Sequence, residues 1–203
     1  MALDPRPGER VYQEIKQAIL SGELIILQRL DIDKLASQFG VSATPVRYAL
    51  AILAAERLVR LNTSRIYQVA FWSERELREL YQWRQQLTKW ALQSYSPASA
   101  SVVLNGKDYA GAYLTLMGHI DRNANTEARR AGRSADERLQ HALRAEVEVL
   151  PGAADDLEKI AAALDRGGPS AGSALRRFFE RRINHCALIR STAHAKAMPD
   201  NGD

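Results

Sequence analysis

The stretch GVSATPVRYAL, residues Gly40 to Leu50, decides how this chain is read. A glycine closes whatever precedes it, Ser42 stands where a helix N-cap belongs, and Pro45 follows within the first turn, where a missing N–H is harmless. From there Val46, Ala49, Leu50 and Leu53 recur at the spacing of one helical face. Thr44, Arg47, Tyr48 and Ala51 fall on the opposite face, which the spacing predicts to be free.

Upstream, Val11, Ile15, Ala18 and Ile19 predict a first helix stopped at Gly22, and Ile32, Leu35, Ala36 and Phe39 predict a short second one stopped at Gly40. Downstream the period changes to that of strands. Val59 and Leu61, then Ile66, Tyr67 and Val69, flank a polar Asn62-Thr63-Ser64 turn, so a small β-hairpin is expected. Three helices and a terminal hairpin make a winged helix-turn-helix, whose third helix can enter a DNA major groove. In that reading Lys34, Ser42, Ala43, Thr44, Arg47, Tyr48 and Arg65 are the candidate DNA-binding residues. Hydroxyls and exposed N–H groups at the helix N-terminus suit a phosphate, and Arg47 suits guanine or a phosphate. A generic three-helix protein-interaction module is the competing reading. The order of elements, the tight turn and the exposed arginines favour DNA.

The 203 residues exceed the roughly 60–70 that a winged module needs, so a second domain is expected. With 46% hydrophobic and 26% charged residues the chain is a globular protein rather than a disordered one. A formal charge of +4 is compatible with nucleic acid without requiring it. A single cysteine, Cys186, excludes an internal disulfide and a cysteine zinc finger. The polar start MALDPRPGER carries no apolar signal, and no apolar run reaches membrane length, so a cytoplasmic protein is expected.

The segments VYQEIKQAILSGEL and RLDIDKLASQFGVSATPVRYALAILAAERLV resemble the GntR family of transcriptional regulators over about 60 residues, a winged module's length. Three departures stand out. Ile26 and Leu27 occupy the place of a usual Pro-Gly, Ala43 that of a frequent basic residue, and Ile66 that of a usual wing glycine. Further on, SERELRELYQWRQQLTKWAL, Ser73 to Leu92, is similar to the opening helix of the FadR-type, or FCD, effector domain. Ser73 and Glu76 suit a capping box, and Leu77, Leu80, Leu87 and Ala91 form the inward stripe.

Arg84 lies on that same stripe, and Thr88 stands where the family has a glutamate. An inward arginine needs an anion. A ligand carboxylate, an acid from another helix such as Asp108, or water could meet it, and Arg84 and Asp108 are the candidate effector-binding residues. The resemblance implies a metal site of one Asp and three His in many relatives, but the matching positions here fall near Asp108, Tyr113, Leu157 and Phe179. No metal and no cofactor are therefore expected in the usual place. Whether His119, His141, His185 or His194 build one elsewhere stays open. No catalytic constellation is present, and an enzyme is not expected.

Ser134 and Glu137 predict a capped helix ending at Pro151. Leu157 to Leu164 predict another, and Ala171 to Cys186 a long last one. The fold expected is mainly α: an arm over 1–10, a winged helix-turn-helix over 11–71, an all-α bundle over 72–195 and a disordered tail over 196–203. The function implied is a dimeric repressor that binds a double-stranded operator and responds to a small organic acid. The alternative is an effector-blind regulator whose second domain only dimerises.

Overall fold

The computed structural model describes residues 7–95, 102–104, 108–122 and 124–198. Most of the expected arm (1–6) and the end of the expected tail (199–203) lie outside these described residues. The chain divides into two compact units, Met1–Phe71 and Trp72–Asp203.

The first unit holds α1 (Pro7–Ser21), β1 (Arg29–Leu30), α2 (Ile32–Phe39), α3 (Ala43–Ala55), β2 (Val59–Leu61) and β3 (Tyr67–Val69). Its core holds most of the residues the periodicity selects, joined by Leu30 and Leu58, while Leu61 of the expected hairpin is exposed. Val11, Ile15, Val46, Ala49, Leu50 and Leu53 are fully buried. Helix α2 is delimited at both ends. The Asp31 side chain accepts from the Asp33 and Lys34 amides at 3.0 and 3.1 Å, and Gly40 ends it in the left-handed conformation, with φ 63°. Tyr12 on α1 donates to Glu56 beyond the end of α3 at 2.6 Å, and Lys16 reaches the other Glu56 oxygen at 3.1 Å, pinning α3 to α1.

Two features differ from the expectation. The hairpin gains a third strand, because Arg29–Leu30 pairs antiparallel with β3 and the sheet order is β1-β3-β2. Two residues carry too little periodicity to announce a strand. The first helix begins at Pro7, so Pro7 to Arg10 belong to α1 and not to an arm. Proline at a helix start loses no hydrogen bond.

The second unit holds α4 (Glu74–Gln93), α5 (Tyr109–Asp121), α6 (Thr126–Val149), α7 (Ala153–Asp165), α8 (Gly168–Asn184) and α9 (Cys186–Ala197). The capping box opens α4: Ser73 Oγ accepts from the Glu76 amide at 3.2 Å, and Glu76 accepts from the Ser73 amide at 2.7 Å. Helix α6 starts earlier than Ser134. Asn125 caps it, accepting from the Ala128 amide at 2.8 Å, so Ser134 is a mid-helix residue. The last helix is two. His185 interrupts it where its ring Nδ1 lies 2.7 Å from the Arg181 carbonyl, a side chain competing for the backbone acceptor. Helix α9 also continues to Ala197, into the expected tail. No helix among the described residues is long and apolar enough to cross a membrane.

Candidate nucleic-acid interface and effector site

Helix α3 carries the candidate interface. Its buried face is Val46, Ala49, Leu50 and Leu53, and Thr44, Arg47 and Tyr48 are exposed opposite. Ser42 occupies the N-cap, but its hydroxyl makes no capping bond. The hydroxyl and the first N–H groups of α3 therefore remain available to an acceptor such as a phosphate oxygen. Ala43 is half-buried at the first helical position. Tyr48 stands 59% exposed beside α1, where a Cβ added at Gly8 would lie 3.0 Å from its ring. Any side chain at Gly8 would push Tyr48 aside.

Lys34 is exposed on α2. The wing is a tight turn in which the Arg65 amide donates to the Asn62 carbonyl at 2.9 Å and the Ile66 amide to Asn62 Oδ1 at 2.9 Å. Arg65 itself takes the left-handed conformation, with φ 57°, and its side chain is exposed. The turn thus keeps the geometry a glycine would favour, one position earlier than the wing glycine of the resemblance. Leu27, in the place of the usual Pro-Gly, is also left-handed at φ 65°. Sequence reading missed Arg57 and Arg60, which are exposed at the base of the hairpin. Their only signal was their place near Val59, two residues before it and one after.

The candidate effector residues are placed differently from the expectation. Arg84 is fully buried, and two carboxylates of its own chain hold it. Its Nε donates to Asp136 Oδ1 at 2.7 Å and its Nη2 to Asp121 Oδ2 at 2.8 Å, with further bonds at 3.1 and 3.3 Å. Burial pulls the guanidinium pKa down, but Asp136, Tyr113 and Asp121 more than offset it, and Arg84 stays cationic. The electrostatic demand that pointed to a ligand carboxylate is thus met internally. Asp108 is not its partner. That side chain caps α5, accepting from the Gly111 amide at 2.8 Å.

A second arginine that the sequence reading overlooked is buried in the same way. Arg182 donates to Glu146 at 2.8 Å and to Asp156 at 3.0 Å, while Tyr81 and Tyr109 each donate to Glu146 at 2.5 Å. Of the positions matching the relatives' metal ligands, Leu157 and Phe179 are core residues, and Tyr113 donates to Asp136 at 2.9 Å. No three His, Cys, Asp or Glu side chains converge among the described residues. Cys186 is buried, and burial pushes its thiol up to about 11, away from reactivity.

Three helices, the third with a free polar face, and a three-stranded sheet define a winged helix-turn-helix, a DNA-binding class of module. Residues 7–65, which make up most of the N-terminal unit, match the family described as Bacterial regulatory proteins, gntR family. The gluconate operon transcriptional repressor of Bacillus licheniformis is 38% identical over 74 residues, 36% of this chain and 30% of that protein. The HTH-type transcriptional repressor GlaR of Escherichia coli (strain K12) is 34% identical over 70 residues, 34% of this chain and 32% of that one. The chain thus spans about a third of the length of the curated relatives it matches. A Rhodococcus sp. RHA1 structure described as a GntR transcriptional regulator shares the fold over 89% of this chain and 97% of its own, with TM-score 0.76 and 19% identity. The structure of E. coli McbR/YncC covers 91% and 99% of the two chains, with TM-score 0.64 and 17% identity. At such identities the likeness is one of fold.

Proposed function

We propose that this protein is a sequence-specific transcriptional repressor that binds a double-stranded operator as a homodimer. The observation that carries the reading is the free face of α3. Thr44, Arg47 and Tyr48 project from a helix whose other face is fully buried, next to an N-cap hydroxyl that makes no capping bond. Arg47 reads a base edge or grips a phosphate, Ser42 and Thr44 hold the backbone, and Lys34 and Arg65 add backbone contacts. A single winged module covers a short half-site, so a palindrome with half-sites about 34 Å apart calls for two copies. The C-terminal unit, read as an FCD-type domain, supplies the pairing. Trp83 and Trp90 support this, since they are 44% and 56% exposed and lie seven residues apart on one side of α4.

The test is selection of bound sequences from a random duplex pool, followed by titration of the selected operator with the parent protein and with Arg47→Ala. A palindromic consensus is expected, with affinity lowered by ~1–3 kcal/mol in the variant. No enriched sequence, or an unchanged affinity, refutes the assignment of α3.

In this proposal the C-terminal unit also answers to a small organic acid. The saturation of Arg84 by Asp121 and Asp136 favours a second reading, in which the unit only dimerises. Release of the operator by a metabolite separates the two.

A further inference from the structure

The interior of the C-terminal unit keeps its two buried arginines for itself, since Arg84 and Arg182 each hold two carboxylates. A groove of about 410 Å3 between α4 and α8 has the opposite character. Lys89 on α4 and Arg176 on α8 line it, both are exposed, and neither has an ion-pair partner among the described residues. Gln85, Gln86 and Ser173, which carry amides and a hydroxyl, line the same space. Glu180 is the one carboxylate among its lining residues. Two cations and one carboxylate leave the groove with a single net positive charge.

The volume falls within the range of small-molecule sites, roughly 300–1,000 Å3. The composition argues against a protein partner, because interface cores are depleted in lysine and glutamate. The low net charge and the presence of Glu180 argue against a polyanion, whose second carboxylate would meet a negative group in the same groove. We propose that this groove binds a small hydroxylated or amino monocarboxylate. Its carboxylate is held by Lys89 and Arg176, and its hydroxyl or amino groups by Gln85, Gln86, Ser173 and Glu180. The inference rests on the regulator reading above and moves effector recognition from the bundle interior to the α4–α8 groove.

The experiment is calorimetric titration of the full chain with gluconate, glycerate and serine. It uses the parent, the double variant Lys89→Ala/Arg176→Ala, and Ser173→Phe, which narrows the groove; circular dichroism shows which variants are folded. The expected result is one site per chain for at least one probe. Binding weakens more than about tenfold in the double variant and is lost in Ser173→Phe. Three results overturn the proposal: no probe binds the parent, affinity is unchanged in both folded variants, or either variant turns a dimeric parent into a monomer, which marks the groove as an interface between copies. Operator binding by the ligand-free parent is measured alongside. If it is retained without any ligand site, only this proposal fails. If it is absent, the regulator reading fails as well.

Discussion

The two units of this chain carry their unfavourable features in different places. Among the described residues, the winged-helix unit buries no charged side chain, and its core is the apolar set that its helices and strands present. Its strain lies in the backbone, in Leu27, Arg57 and Arg65, non-glycine residues held at φ 65°, 61° and 57°. No such residue occurs among the described residues of the C-terminal unit. There the burden is electrostatic, with Arg84, Asp121, Asp136, Glu146 and Arg182 buried together. A left-handed non-glycine residue costs about 1–2 kcal/mol, whereas an ion left unpaired in the interior costs several. The first unit is therefore sensitive at its loop ends, and the second at its centre.

The sharpest test of that contrast removes a buried cation. Arg84→Met leaves Asp121 and Asp136 facing each other without a counter-ion and should destabilise the C-terminal unit by ~3–5 kcal/mol in denaturant titrations. A loss below about 1 kcal/mol would end the claim that this network is the unit's weak centre. Gly132→Ala probes the same point more gently. Its added Cβ would lie 2.5 Å from Asp121 Oδ2, so the carboxylate must shift against Arg84.

A smaller effect follows from pH. Burial, aided by the charge of Arg144, lowers the His141 pKa from 6.5 to about 4, and its Nε2 is buried without a hydrogen-bond partner. The unfolded chain takes up this proton first as the pH falls. Stability attributable to His141 is therefore whole above about pH 6.5 and declines until about pH 4, by at most ~3 kcal/mol. His141→Phe should flatten that part of the pH–stability curve. An unaltered slope would place the titrating group elsewhere.

The smallest predicted effect concerns the first unit. Arg57 is exposed in the left-handed position after α3, where the Leu58 amide donates to the Leu53 carbonyl at 3.0 Å, a helix end that glycine favours. Arg57→Gly should stabilise the unit by about 0.5–1 kcal/mol, since strain relief exceeds the added entropy of the unfolded chain. Leu27→Gly should act in the same direction. A drop in melting temperature for both would show that the turns are not strained.

Much of the winged-helix unit was legible because its signals are local. The period of Val46, Ala49, Leu50 and Leu53, the stop at Gly40 and the polar turn at Asn62 each involve residues within a few positions of one another, and they fixed the three helices, the hairpin and the candidate face. The capping box at Ser73 was legible for the same reason. What the sequence could say of Arg84 was that it points inward and needs an anion. Which anion meets it was decided by tertiary structure, since Asp121 and Asp136 lie 37 and 52 residues away and approach only when α5 and α6 pack on α4. The third strand, the break at His185, the pairing of Arg182 with Glu146 and the groove beside Lys89 and Arg176 share that origin. Each depends on pairs of elements meeting in space, and helical periodicity records only that a side chain is turned inward or outward, not which partner it finds there.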